Sequence, residues 1–257
     1  AYLQQTLHVA PGERIALMLP NVLQYPVAML GALRAGAVVV NVNPLYTPRE
    51  LRHQLNDAGA RVIVVFDAML HTLASVIDET PVDTVVLARI GDLFPPVKRT
   101  LYNFVSARRR GHSLPSLPGR VSFREVMSHG RTLEHRPVDI QAGDIAFLQY
   151  TGGTTGVSKG AMLTHRSMIA NALQTNAWMN NAARAGEEIA ITALPLYHVL
   201  ALSLNCFSLM ILGGVNYLIT NPRNVDQFVR EMARVPFTGF FGVNTLYASL
   251  LNAPEFR

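Results

Sequence analysis

The sequence has little cysteine and little charge. Cys206 is the only cysteine among 257 residues, which excludes an internal disulfide and a cysteine-rich metal site. Because it lies in an apolar run, we predict a buried, unreactive thiol. Charged residues make up 15% of the chain and hydrophobic ones 49%, which excludes a disordered chain and favours extensive burial. Ala1 stands inside an expected helix with no secretion signal, and the composition fits a reducing cytoplasm.

The net charge of +5 is unevenly distributed. Between residues 97 and 136, nine basic residues stand against Glu125 and Glu134, which gives this stretch a net charge of +7. Two interpretations are open: an irregular solvated excursion rich in proline, or a contact with an anionic membrane in which Tyr102 and Phe104 are interfacial anchors. No nucleic-acid partner is predicted, because the basic residues form no recognisable reading element.

The longest uncharged run, 196–212, reaches the minimum of about 17 residues for a transmembrane helix. Ser203, Asn205 and Ser208 interrupt it, Pro195 precedes it, and no basic flank lies close to either end. We therefore predict a buried core helix.

Apolar segments of strand and helix type alternate along the chain. Strands are predicted at 14–19, 38–42, 61–66, 84–88, 144–150, 189–193, 215–220 and 237–241. Helices are predicted at 21–34, 48–57, 164–180 and 225–235. Gly59 ends the second of these helices, and the last one starts after Asn224. Ser122 and Glu125 form a plausible capping box, which marks a further helix start. This alternation predicts an α/β fold of layered subdomains, with largely parallel sheets flanked by helices.

The segment 148–160, LQYTGGTTGVSKG, places a phosphate-binding type of loop directly after a strand. The glycines are Gly152, Gly153 and Gly156, the hydroxyl residues are Thr151, Thr154, Thr155 and Ser158, and the cation is Lys159. Glycines allow tight turns and close approach to a ligand, and successive backbone N–H groups form an anion-binding nest. The alternative is an ordinary surface loop. The spacing fits neither GxxxxGK[ST] nor GxGxxG.

This segment resembles the signature loop YTSGTTGxPKG of the adenylate-forming enzymes, which are the acyl-CoA synthetases, luciferases and peptide-synthetase adenylation domains. Gly152 replaces the serine of that motif and Ser158 the proline. The wider sequence is most similar to bacterial long-chain fatty-acid–CoA ligases, from about Leu3 to Arg257. The similar segments include MLPNVLQYPVAMLGALRAG, VVNVNPLYTPRELRHQLNDAGA, TALPLYHVLAL and FTGFFGVNTL.

The resemblance implies that residues 1–257 are a partial N-terminal domain that binds ATP and the acyl group, with the basic excursion at about 97–136. The family's glutamate motif, ribose-binding aspartate and C-terminal domain are absent. A fragment of this kind is expected to be inactive alone.

The resemblance also implies a set of site residues. Catalytic roles fall to Thr151, Lys159 and His198, and Thr151 is the candidate contact for Mg²⁺. The nucleotide-binding set is Tyr150, Thr151, Gly152, Gly153, Thr154, Thr155, Gly156 and Lys159. The acyl-binding set is His198, Gly242, Val243, Asn244 and Thr245. The alternatives are a core histidine at a helix start for His198 and a plain β-to-α turn for 242–245.

The implied function is ATP-dependent activation of a long-chain fatty acid through an acyl-adenylate, followed by thioester formation with CoA. One alternative is a CoA ligase for a medium-chain, aryl or bile acid; another is a non-catalytic lipid-binding fragment. An amino-acid substrate is disfavoured, because PLYH at 195–198 offers no acid for an α-ammonium group. The expected location is the cytoplasm, with peripheral contact at the inner face of the cell membrane. The sequence does not determine the oligomeric state.

Overall fold

A computed structural model describes residues 1–110, 114–117, 119–151, 158–179 and 182–256. The chain divides into two compact units. Unit 1 comprises Ala1–Leu19 and Leu23–His165, and unit 2 comprises Pro20–Val22 and Arg166–Arg257.

Unit 1 is built on a seven-stranded sheet with the order β5-β4-β3-β1-β2-β6-β7. Its strands are β1 (Arg14–Met18), β2 (Val38–Asn41), β3 (Val62–Phe66), β4 (Thr84–Ala88), β5 (Arg120–Ser122), β6 (Ile145–Thr151) and β7 (Lys159–Thr164). Its helices are α1 (Tyr2–Gln5), α2 (Gln24–Arg34), α3 (Pro48–Ala58), α4 (Leu70–Ala74), α5 (Pro96–Arg110) and α6 (Phe123–Gly130). All strand pairs are parallel except β6 with β7. The prediction of an α/β fold with largely parallel sheets is confirmed.

The central strands of unit 1 are buried on both faces, as apolar runs in parallel sheets usually are. All five residues of β3, VIVVF, are buried. Helix α3 shows how local sequence sets a boundary: Thr47 and Glu50 form a capping box at its start, and Gly59 ends it with φ +60°. A left-handed backbone of this kind favours glycine, which confirms the predicted stop.

The basic stretch is mostly regular, so its interpretation as an irregular excursion is wrong. It contains α5, β5 and α6. The Ser122 hydroxyl accepts a hydrogen bond from the Glu125 backbone N–H at 3.1 Å, as expected of a residue at the start of α6.

Unit 2 contains a smaller parallel sheet with the order β10-β8-β9. Its strands are β8 (Ile189–Thr192), β9 (Val215–Leu218) and β10 (Gly239–Phe240). Its helices are α7 (His165–Met179), α8 (Val199–Ala201), α9 (Leu209–Ile211), α10 (Val225–Met232) and α11 (Asn244–Leu251). Its core cluster includes Ile191, Phe228, Met232 and Leu250.

The uncharged run 196–212 is helical from Val199 to Ile211, with a π-helical segment, Leu202–Ser208, between α8 and α9. One side of it is buried, including Leu202 and Asn205, whereas Leu200 and Ile211 are exposed. The core-helix prediction therefore holds for that side only. Within the described residues, no helix combines the length and apolar character that crossing a membrane requires.

Cys206 is buried, as predicted, and burial raises the pKa of its thiol to about 12. Because the thiolate is the reactive form, we expect an alkylating reagent at pH 8 to modify the native protein about 100-fold or more slowly than the urea-unfolded protein. Mass spectrometry of timed samples measures both rates. Equal rates would show that the thiol is accessible in the native state.

Candidate active site

The predicted phosphate loop connects two antiparallel strands at the carboxyl end of β6. Thr151 at the end of β6 pairs directly with Lys159 at the start of β7, and both residues are exposed. The Ser158 hydroxyl donates a hydrogen bond to the Thr151 carbonyl oxygen at 3.0 Å. The structure therefore brings Thr151 and Lys159 together at the base of the loop. The other predicted loop residues, Gly152, Gly153, Thr154, Thr155 and Gly156, lie outside the described residues.

Helix α3 supports both stems of this hairpin. Asp57 accepts a hydrogen bond from the Tyr150 hydroxyl at 2.5 Å, and His53 Nε2 lies 3.1 Å from the Ser158 carbonyl oxygen. His53 and Asp57 are four residues apart, so they share one face of α3. Burial, followed by the bond to Asp57, raises the pKa of Tyr150 above its ordinary value. Tyr150 is 9% exposed, so this geometry supports a bracing role; its direct contact with nucleotide remains a prediction.

Gly160 allows β7 to lie close to the Tyr150 ring. A Cβ atom at this position would stand 2.9 Å from Tyr150 Cε2 and 3.0 Å from Cζ, and the ring is held by Asp57. We therefore expect Gly160→Ala to lower the free energy of unfolding by about 1–3 kcal/mol in urea denaturation. Gly143→Ala is the matched control, because a Cβ there meets nothing within 4 Å. Equal stability of the two variants would show that β7 tolerates displacement of the ring.

Buried amides stabilise the same edge of the sheet beneath the hairpin. Asn41, at the end of β2, accepts from the Tyr25 hydroxyl at 2.8 Å and donates to Gln149 Oε1 on β6 at 3.0 Å. Gln54 on α3 donates to the Asn41 carbonyl oxygen at 2.8 Å. Hydrogen bonds between buried polar groups favour one arrangement of the elements that they join. The carboxyl ends of β2 and β6 are thus fixed to each other and to α3.

In unit 2, His198 follows β8 and begins α8. Its Nδ1 accepts a hydrogen bond from the Leu200 backbone N–H at 3.4 Å, and the side chain is exposed. The alternative interpretation of His198 is a core histidine at a helix start. His198 does lie at the start of a helix, but its side chain is exposed and is not part of the core. An Nδ1 acceptor in a neutral imidazole leaves the proton on Nε2, which is then available as a donor.

The predicted acyl-binding segment follows β10, which is parallel to β8. Ile191 pairs with Phe240, so the segments that follow β8 and β10 leave at the same edge of the small sheet. The Gly242 N–H donates to the Tyr247 hydroxyl at 3.0 Å, and Asn244 and Thr245 start α11 after Val243. The segment has the form of a β-to-α turn, and it lies at the edge where α/β proteins bind ligands.

An open depression in unit 2 lies beside this edge. It has a volume of about 770 Å³ and is lined mainly by α7, including Thr175, Trp178 and Met179, together with Leu204 and Phe241. Small-molecule sites typically measure about 300–1,000 Å³. The depression is mostly apolar and reaches the residue before Gly242.

Asn21 is a buried residue that sequence reasoning placed inside a helix. The structure starts α2 at Gln24, and the Asn21 side chain bonds to the segment after β8. Its Nδ2 donates to the carbonyl oxygens of Thr192 and Leu194 at 3.0 and 2.9 Å, and its Oδ1 accepts from the Leu196 N–H at 2.9 Å. Asn21 thus fixes the path of the segment that leads to His198. The sequence signal for the role of Asn21 is a side-chain amide directly after Pro20, at the end of a buried strand.

The chemistry of the described residues favours binding of anions. Among residues 1–110, 114–117, 119–151, 158–179 and 182–256, no group of three or more His, Cys, Asp or Glu side chains comes together as a metal site. Thr151 contributes a hydroxyl and Lys159 an ammonium group at the hairpin base.

These features define an α/β domain with largely parallel sheets, a class in which ligands usually bind at the carboxyl ends of the strands. The chain belongs to the AMP-binding enzyme family, whose model matches residues 1–257.

Several curated relatives are named as long-chain-fatty-acid–CoA ligases. The proteins from Salmonella typhimurium and Escherichia coli O157:H7 are 52% and 53% identical over 100% of this chain. The protein from Bacillus subtilis is 32% identical over 96% of the chain. The chain covers 46%, 46% and 44% of these relatives, so it spans less than half of their length.

Two solved structures share the fold. The anthranilate CoA ligase AuaEII in complex with anthranoyl-AMP gives a TM-score of 0.79 at 21% identity, over 98% of this chain and 44% of that one. A long-chain-fatty-acid-CoA ligase from Archaeoglobus fulgidus gives a TM-score of 0.71 at 22% identity, over 96% and 44%.

Proposed function

We propose that the whole protein joins long-chain fatty acids to CoA at the expense of ATP. The observation that carries this proposal is the identity of 52–53%, over all of this chain, with proteins named as long-chain-fatty-acid–CoA ligases. The match covers the whole chain and therefore both units.

In the first step, a carboxylate oxygen of the fatty acid attacks the α-phosphorus of ATP, and pyrophosphate leaves. Two anions must meet, so the protein has to offset charge and orient the reactants. The base of the hairpin offers the Lys159 ammonium group opposite Thr151. In this proposal Lys159 stabilises the departing pyrophosphate, and the loop N–H groups of residues 152–156 hold the phosphates.

Mg²⁺ enters this proposal as part of the nucleotide substrate. It keeps most of its ligands from phosphate oxygens and water, as is usual for this ion. Thr151 is the residue we assign to the metal or to its phosphate ligand, because its exposed hydroxyl lies at the end of β6.

His198 is assigned to the carboxylate of the acid. Its Nδ1 accepts from the Leu200 N–H, which leaves Nε2–H to donate to a carboxylate oxygen. A donated hydrogen bond orients the attacking oxygen and needs no proton transfer. His198 is therefore proposed to position the acid.

The hydrocarbon tail is assigned to the small-sheet edge and the adjoining depression, with Gly242, Val243, Asn244 and Thr245 at its polar end. Each buried methylene contributes about 0.8 kcal/mol, so a long tail supplies most of the binding free energy. In the second step, the CoA sulfur attacks the acyl carbon of the adenylate, the thioester forms and AMP leaves.

The same chemistry on another carboxylic acid is the second candidate. It is supported by a relative named 4-coumarate–CoA ligase 3, from Oryza sativa, which is 31% identical over 76% of this chain. The higher identity to the fatty-acid enzymes favours the first candidate. A cytoplasmic location, with contact at the inner membrane face, fits the use of ATP and CoA and a substrate that partitions into lipid.

The test is pyrophosphate–ATP exchange by the whole protein with hexadecanoate, octanoate and 4-coumarate as alternative acids. We expect hexadecanoate to give the largest kcat/KM. A preference for 4-coumarate would favour the second candidate. Absence of acid-dependent exchange in a folded preparation would refute both ligase proposals.

A further inference from the structure

The peptide group that precedes Lys159 is held from two directions. Its carbonyl oxygen, which belongs to Ser158, lies 3.1 Å from His53 Nε2 on α3. The Ser158 hydroxyl donates a hydrogen bond across the base of the hairpin to the Thr151 carbonyl oxygen at 3.0 Å. A carbonyl oxygen only accepts hydrogen bonds, so the contact with His53 requires a proton on Nε2. Because a peptide unit is planar, holding its oxygen also orients the N–Cα bond of Lys159.

The residue that follows Lys159 is held by the same helix. Gly160 lies against the Tyr150 ring, where a Cβ atom would stand 2.9 Å from Cε2. The Tyr150 hydroxyl donates a hydrogen bond to Asp57 on α3 at 2.5 Å. The backbone on both sides of Lys159 is therefore fixed relative to α3.

Helix α3 is a firm support for these contacts. Leu51, Leu55 and Ala58 are 4% exposed or less and belong to the core of unit 1. Gln54 donates to the carbonyl oxygen of Asn41 at the end of β2 at 2.8 Å. The residues that contact the hairpin lie on another face of the helix, since positions 53 and 57 are four residues apart. One face of α3 is thus anchored in the core while the other holds the hairpin.

We propose that His53 is a positioning residue for Lys159. Its ring N–H holds the peptide between Ser158 and Lys159, so that the Lys159 ammonium group is directed at the phosphates of ATP. A charge oriented before the ligand arrives needs no reorganisation when the ligand binds. In this proposal His53 does not touch the nucleotide, and its effect on phosphate binding passes through Lys159. The proposal deepens the proposed function, on which it rests for the identity of the nucleotide.

The test is a double-mutant cycle on the affinity of the whole protein for Mg·ATP, measured by isothermal titration calorimetry without any acid. His53→Ala should weaken binding about five- to tenfold, because the hydrogen bond that positions the cation is lost. The same change in a Lys159→Ala background should weaken binding less than about twofold, because the group that His53 positions is then absent. His53→Gln should bind within about threefold of the unaltered protein, since its amide N–H can reach the same oxygen.

Asn56→Ala is the matched control for loss of a side-chain bond from α3. Asn56 also donates to backbone carbonyl oxygens, those of Arg52 and Glu79, and both lie outside the hairpin. We expect this variant to bind Mg·ATP as the unaltered protein does. Urea denaturation of both alanine variants shows whether His53→Ala affects stability beyond the control, and rescue by His53→Gln separates positioning of the hairpin from general damage.

Three results would overturn the positioning role: unchanged affinity of His53→Ala, an equal loss with and without the Lys159 side chain, or no rescue by His53→Gln. Calorimetry needs no acid, whereas the exchange assay requires one. The expected pattern of affinities without acid-dependent exchange would support the positioning role and refute the ligase. Exchange with hexadecanoate, together with equal losses in both backgrounds, would refute the positioning role alone. Absence of Mg·ATP binding in a folded preparation would refute both.

Discussion

Lys159→Ala is expected to lower fatty-acid-dependent pyrophosphate–ATP exchange by the whole protein about 100- to 1,000-fold, the usual effect of removing one charge-stabilising donor from a transition state. The reason is position. Lys159 pairs with Thr151 at the base of the hairpin and is exposed there, so its ammonium group is available to the phosphates. The measurement is kcat and KM for exchange, with folding checked by circular dichroism. Thr154→Ala should lower exchange strongly as well.

Two further variants separate a local role from a loss of positive charge. Lys159→Arg keeps the charge and should recover part of the activity, although a guanidinium does not reproduce a compact ammonium. Arg184→Ala removes an exposed cation from unit 2, where its guanidinium group lies 3.6 Å from the Glu187 carboxylate, and should leave exchange unchanged. An unchanged rate for Lys159→Ala would remove this residue from the mechanism.

Asn21→Ala is expected to lower the free energy of unfolding by about 3 kcal/mol or more. The change leaves two carbonyl oxygens and one N–H group without their side-chain partner, and each unsatisfied buried group costs roughly 1–3 kcal/mol. Urea denaturation followed by circular dichroism measures the loss. Asn21→Asp should be comparably harmful, because a carboxylate has no N–H groups to donate to Thr192 and Leu194.

Asn56 provides a matched control for this prediction. Its Nδ2 also donates to two carbonyl oxygens, those of Arg52 and Glu79, at 2.9 and 2.8 Å, but the residue is exposed. Water replaces such bonds, so Asn56→Ala should cost about 1 kcal/mol or less. Similar losses of unfolding free energy for Asn21→Ala and Asn56→Ala would show that burial does not strengthen the contribution of the Asn21 hydrogen bonds to stability.

The sequence predicts those helices and strands that are set by an apolar run or by a residue at their own end. The apolar run at 84–88 is β4, and the helix predicted at 48–57 ends within one residue of α3, because Gly59 supplies its left-handed end. The helix predicted after Asn224 also starts there. Strand β7 was not predicted, since KGAMLT is partly exposed and its partner β6 lies across the loop. The residue pattern of this segment can be assigned to a strand only when its pairing with β6 is known.

The sequence suggests the residue types of the candidate site, but it does not show which residues support the hairpin. A dense run of glycine, threonine and lysine is typical of a phosphate-binding loop, with an ordinary surface loop as the alternative. By contrast, His53 and Asp57 have the sequence character of ordinary surface residues of an amphipathic helix. Their role depends on contacts to Ser158 and Tyr150, about a hundred residues away along the chain. Asn21 was missed for the same reason, because its partners lie at the end of β8 and in the segment after it.

The central claim is that the hairpin between Thr151 and Lys159 binds the triphosphate of ATP. The most direct measurement is a crystal structure of the whole protein with a non-hydrolysable ATP analogue and Mg²⁺. We predict phosphate oxygens within hydrogen-bonding distance of the backbone N–H groups of residues 152–156, with the Lys159 ammonium group beside the β- or γ-phosphate. An analogue bound with its phosphates at another element, and the hairpin turned away from it, would contradict the account.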